Sequence, residues 1–257
     1  MQSFNMSKRT LHLVCAWCGL ACTAVCLTGL LIAGLIPPPH PDNSVNTIAA
    51  RYVEDKDQIR IGMFIAVIGF TLYGPWGAEI ASRLRPSEGD RPVLAYTQVA
   101  MLGTAIFVGV LFSLMIGVAA FRPGEVSPDV TTTVNDIAWF LFLFDWPPFA
   151  VWCVAIGVAI MKDKREVPSF PRWAAYLNFW CAFLDILAGF VIFFKGGPLA
   201  YDGVLAYWIP LVIFFVWIVI MTYLLIVAIN READADEAGQ AAATGAARLA
   251  TGSASAS

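Results

Sequence analysis

Long apolar runs separated by short polar stretches dominate this chain. Crossing roughly 30 Å of hydrocarbon takes about 20 helical residues at 1.5 Å each. Six runs reach that length, at about 11–36, 61–82, 94–120, 132–161, 173–194 and 204–229. Each is bounded by charge, proline or glycine. The pattern predicts an all-α, polytopic integral membrane protein of six transmembrane helices: an N-terminal segment 1–10, a transmembrane domain 11–232 and a tail 233–257. The first connection, 37–60, is the longest. It carries Pro37, Pro38, Pro39 and Pro41 and then a polar stretch from Arg51 to Arg60, with room for a short surface helix. The tail is built of Ala, Gly, Ser and acids without apolar periodicity, which predicts disorder.

Composition agrees with the bilayer as solvent and main partner. Of 257 residues, 59% are hydrophobic and only 14% charged, against about a quarter charged in soluble domains. The net charge of -3 and the scattered basic residues give no patch for a phosphate backbone, so no nucleic-acid partner is expected. Basic residues in short loops set orientation. One side holds eleven (Lys8, Arg9, Arg83, Arg85, Arg91, Lys162, Lys164, Arg165, Arg172, Arg231, Arg248) and the other five (Arg51, Lys56, Arg60, Arg122, Lys195). The richer side is expected to be cytoplasmic, placing both termini inside a cell inner (plasma) membrane. The first run continues well past the about 7–15 apolar residues of a signal peptide, so it reads as a retained helix.

Two acids fall deep within the apolar runs. Helical rise places Asp145 near the middle of the fourth span and Asp185 near the middle of the fifth, where a lone carboxylate costs roughly 2.5–3.5 kcal/mol on insertion scales. Such a group faces a partner or a watery cavity, or is protonated. Asp145 is followed by Trp146, Pro147 and Pro148, and the double proline removes two backbone donors and kinks or breaks the helix there. Interrupted helices near the midplane are where secondary transporters hold substrate and coupling ions. Asp145, Asp185, Trp146, Pro147 and Pro148 are therefore the candidate substrate or proton site. Further bends are expected at Pro75 and Pro210, and three bent helices point to an enclosed space. Glu79 and Arg83 have i,i+4 spacing for an ion pair. Thr131 to Thr133 supply hydroxyls for capping the fourth helix. Asp136, Lys195 and Asp202 form a candidate outer vestibule.

Cys15, Cys18, Cys22 and Cys26 share one stripe of the first helix. Four sulfurs spread over about 16 Å cannot surround one ion, so a small-residue packing seam with Gly19 explains them better than a metal site. With two histidines, no phosphate-cradling glycine loop and no metalloprotease motif, neither a metal nor another cofactor is expected. Trp17, Trp139, Trp173, Tyr176, Tyr201, Tyr207 and Trp208 read as interfacial belt residues. The nine tryptophans, 18 phenylalanines and seven tyrosines also permit an aromatic-lined pocket.

Ile36-Pro37-Pro38-Pro39, Arg60-Ile61-Gly62-Met63, Asn135-Asp136-Ile137-Ala138-Trp139, Pro171-Arg172-Trp173 with Tyr176-Leu177-Asn178, and Phe193 to Gly203 resemble a group of multi-span bacterial membrane proteins without assigned activity. The resemblance implies an all-helical membrane fold and transfers no functional residues. Three readings follow from the residues. The first is a small proton-linked transporter or permease for an apolar or lipid-like small molecule. The second is a membrane-embedded enzyme, or a membrane subunit of one, in lipid or isoprenoid metabolism. The third is a structural or assembly protein, which requires a dry bundle with both acids hydrogen-bonded to neighbouring helices.

Overall fold

A computed structural model describes residues 7–254, so residues 1–6 of the expected N-terminal segment and 255–257 of the tail lie outside the described residues. The described chain is all-helical, and six helical segments are long and apolar enough to cross a membrane. They mark a multi-pass membrane protein, with large apolar side chains such as Phe64, Phe107, Phe183 and Tyr223 exposed on the outside of the bundle.

The first span is α1 (Lys8–Ile32). It stops four residues before its apolar run does, because Gly34 adopts a positive φ of 62°. Gly34 N–H bonds the Leu31 carbonyl and Leu35 N–H the Leu30 carbonyl, the paired bonds of a Schellman stop. The expected surface helix is α2 (Val45–Glu54), started by Ser44, whose hydroxyl accepts from Thr47 N–H at 3.2 Å. It buries Ile48 and Tyr52, and the Arg51 guanidinium reaches back to the Gly34 carbonyl at the end of α1.

The second span, α3 (Lys56–Leu84), remains one helix through Pro75, and a single 3₁₀ turn, Arg85–Glu88, follows it. The third is α4 (Val93–Ala119). Arg60 of α3 closes the far end of α4 by donating to the Ala120 carbonyl at 2.8 Å and the Phe121 carbonyl at 2.7 Å. The fourth span is two helices, α5 (Pro128–Leu143) and α6 (Trp146–Lys162). Its cap is Ser127, with Pro128 in the first turn. Thr131, expected to help cap it, is instead buried inside the helix, because the Ser-Pro start lies four residues earlier. The fifth span is α7 (Arg172–Asp185), which narrows to a 3₁₀ helix over Ile186–Phe193. The sixth opens with a π-turn, Val204–Trp208, and continues as α8 (Ile209–Ala254). Pro210 sits directly after that wide turn rather than bending the helix further along. The helix runs on through the segment whose composition predicts a disordered tail, because Ala, Glu, Gln and Arg are strong helix formers and ion pairs from Arg9 and Arg83 hold its first turns.

α1 and α3 pack most closely. A Cβ built on Gly29 would lie 2.5 Å from the Gly62 carbonyl oxygen and 2.6 Å from Ala66 N, so the two backbones touch. Cys22 and Cys26 belong to the same seam, and the Cys26 thiol faces the Ala66 carbonyl at 3.7 Å. The interior divides into two clusters. One, toward the chain termini, is built on Tyr73, Trp76, Phe149, Trp152 and Trp217. The other, toward α2, is built on Phe112, Trp139, Tyr201 and Tyr207. Phe70 packs against both.

Candidate functional site

Pro147 and Pro148 occupy the second and third positions of α6, and Asp145 its N-cap. Lacking N–H groups, the prolines cannot bond carbonyls of the preceding turn, so α5 ends at Leu143. The same geometry acts on Asp145. An N-cap aspartate ordinarily accepts from the N–H of the second or third helical residue, and here both are proline. Asp145 accordingly makes no capping bond, and its Oδ1 is buried without a partner.

Asp185 also ends a helix. The α-helical hydrogen bonding of α7 stops at this residue, where the 3₁₀ segment begins. That segment passes under the Trp146 indole at Gly189, where a Cβ would overlap the ring. Both acids therefore stand at helix interruptions, rather than within the continuous spans that the hydropathy outlines.

Asp145 and Asp185 line one cavity of about 110 Å³. Trp146 and Phe149 contribute from α6, Tyr73 and Phe70 from α3, Phe142 and Leu143 from α5, and Tyr207, Phe214 and Phe215 from the sixth span. Cys22 and Cys26 face it from α1. No Lys, Arg or His is among the described residues lining it. Tyr73 is 4% exposed, and its hydroxyl has no hydrogen-bond partner. Pro147 and Pro148 shape the break and are not among the lining residues. The cavity lies at the junction of the two aromatic clusters, taking Tyr73 and Phe149 from one and Tyr207 and Leu143 from the other.

The remaining candidates lie elsewhere. Asn135 donates to Asp136 Oδ1 at 3.2 Å and accepts from the Tyr52 hydroxyl at 3.0 Å. Asp202 lies 3.5 Å from His40 Nε2, and Lys195 is exposed. None of Asp136, Lys195 and Asp202 lines the cavity. Trp139, Tyr201 and Tyr207 are buried rather than interfacial. Trp139 stacks on Tyr201 with ring centroids 5.7 Å apart and meets Tyr207 edge-on, aromatic pairings that stabilise beyond the area they bury. Trp17, Trp173 and Tyr176 are exposed as belt residues would be.

Other polar partnerships join local pairs expected from spacing to distant residues that carry no local sequence signal. The Glu79–Arg83 pair forms at 2.8 Å, and His12 Nδ1 adds a third member 2.7 Å from Glu79 Oε2. Asn178 of α7, fully buried, accepts from the Trp217 indole of α8 at 2.9 Å. Beyond α6, Asp163 receives the Arg165 guanidinium and the N–H groups of Arg165 and Ser169. Burial pushes the Asp163 carboxyl up, but these bonds and the Arg165 charge outweigh it and hold the group below the usual carboxylate range.

Among the described residues, no three His, Cys, Asp or Glu side chains group so that they could hold a metal ion. The chain matches no protein-family model, no curated protein and no solved structure.

Proposed function

We propose that the protein is a small proton-linked transporter or permease whose solute occupies the cavity between the two aromatic clusters, with Asp145 and Asp185 as its proton-exchanging groups. The observation that carries this reading is the pairing of two midplane acids, each at a helix interruption, on one cavity. An unpartnered Asp145 oxygen argues against a purely structural bundle, in which both acids would be tied to neighbouring helices. The volume of about 110 Å³ favours a small solute over a lipid-like one, since about 150 Å³ is what an apolar cavity needs for benzene.

We infer that both termini face the cytoplasm of a cell inner membrane. The eleven-to-five distribution of basic residues supports this. Two of the five on the sparse side, Arg51 and Arg60, are engaged with carbonyls at the ends of α1 and α4.

Proteoliposomes enclosing a pH-sensitive dye test the reading, challenged with a panel of small amines, alcohols and carboxylates. At least one solute should drive proton flux through the wild type, and Asp145→Asn and Asp185→Asn should each cut that flux at least tenfold. Equal flux in both variants would refute the role of the acids.

A further inference from the structure

The geometry points to a small, weakly hydrated organic cation, of the quaternary-ammonium or guanidinium class, as the ligand of the cavity, held by the Asp145 and Asp185 carboxylates and the surrounding aromatic faces. The inference rests on the cavity being where solute is handled, and it adds the sign and size of that solute.

Charge decides the sign. Among the described residues lining the cavity, the formally charged side chains are two carboxylates, Asp145 and Asp185. The carboxyl end of α5 contributes Leu143 to the wall and adds negative potential there. The N-terminus of α6 acts in the opposite sense, but its second and third N–H groups are absent because those residues are prolines. An anion would meet two carboxylates and no cationic donor. A neutral apolar solute would offer nothing to the Asp145 oxygen, which has no hydrogen-bond partner in the protein.

The walls decide the class. Metal cations such as Ca²⁺ and Mg²⁺ need about six oxygen ligands or retained water, whereas most of this wall is hydrocarbon and ring. The rings of Tyr73, Phe142, Trp146, Phe149 and Phe214 line it instead, and aromatic rings attract diffuse organic cations through their quadrupole. About 110 Å³ against about 150 Å³ for benzene allows roughly five non-hydrogen atoms, the size of tetramethylammonium. A cation and a proton compete for the same carboxylates. The other titratable groups facing the cavity are Cys22 and Cys26 from α1, Tyr73 from α3 and Tyr207 from the sixth span.

The full-length protein in detergent, titrated with tetramethylammonium chloride by calorimetry, tests the assignment. Tert-butanol serves as the neutral control of equal atom count. The expected result is saturable binding of one cation per chain, no tighter than roughly micromolar for so small a ligand, and no saturable binding of the alcohol. Affinity should fall as acidification protonates the carboxylates, and at least tenfold in Asp145→Asn or Asp185→Asn. Absence of saturable cation binding, equal binding of the alcohol, or a cation affinity indifferent to pH would each overturn it. If an asparagine variant fails to fold, the wild-type pH series and the alcohol comparison decide alone. Cation binding without proton flux in vesicles would overturn the transport reading and leave this assignment standing. Proton-coupled flux of another solute with no cation binding would do the reverse.

Discussion

Replacing Gly62 with alanine should separate the tightest helix pair in the bundle. The new Cβ would sit 2.6 Å from Ala33 N and 2.7 Å from Ala33 Cβ, whereas carbon contacts are comfortable at about 3.5–4.0 Å. α1 and α3 must move apart by about 1 Å, because most of what the Cβ meets is backbone and no rotamer change can relieve it. Overpacking of this kind costs about 1–3 kcal/mol, and alanine's better helix propensity offsets about 0.5–1 kcal/mol of it. A net destabilisation of about 1–2 kcal/mol is expected. Gly103 on α4 provides the internal control, since a Cβ there meets nothing within 4 Å. Gly103→Ala should therefore stabilise by about 0.5–1 kcal/mol through helix propensity alone. The assay is SDS-induced unfolding from mixed micelles, followed by near-ultraviolet circular dichroism on both variants. Gly29→Ala opens the same seam from the other side, so the double variant should cost less than the two single effects added. Equal stability of Gly62→Ala and Gly103→Ala would refute the close-approach argument.

Asn178→Ala should cost about 1–2 kcal/mol in the same assay, because it strands the buried Trp217 indole N–H. Trp217→Phe, with Asn178→Ala, closes a double-mutant cycle whose coupling should lie near 0.6 and below about 1.7 kcal/mol. Asp163 has a folded-state pKa below its ordinary 3.8, so its stabilising contribution is complete above pH 3.8 and is lost as pH falls through the lower folded value. The stability gap between wild type and Asp163→Asn should be constant from pH 8 to pH 5 and close under more acidic conditions. A gap unchanged at pH 2 would show that the hydrogen bonds of Asp163 do not depend on its charge.

The spans were legible because hydrophobic length is a property of local sequence, and so was the break at Asp145, because proline lacks a donor wherever it stands. The interruption at Asp185 was not. Ile186 to Phe193 contains no proline, and its narrowing to a 3₁₀ helix accompanies the packing of Trp146, 43 residues earlier, over Gly189. The same limit applies to His12 with Glu79, 67 residues apart, and to Asn178 with Trp217, 39 apart. Aromatic residues near span ends were assigned to the membrane surface by position alone, while Trp139, Tyr201 and Tyr207 turned inward because rings on neighbouring elements were there to receive them.

The closely fitted α1–α3 pair and the interrupted fourth, fifth and sixth spans give the bundle two unequal halves in stiffness. The first two spans each run as one continuous helix, α3 missing only the amide bond that Pro75 cannot donate, and their backbones are in direct contact, so they form a spine with little freedom to shear. Opposite them, the gap between α5 and α6, the 3₁₀ segment after Asp185 and the π-turn before Pro210 replace regular helical bonds with missing or poorer ones. Local opening is least costly where bonding is thinnest. Amide protons along α1 and α3 should therefore be the slowest in the molecule to exchange, and any breathing of the cavity will be borne by the wall that carries its two acids.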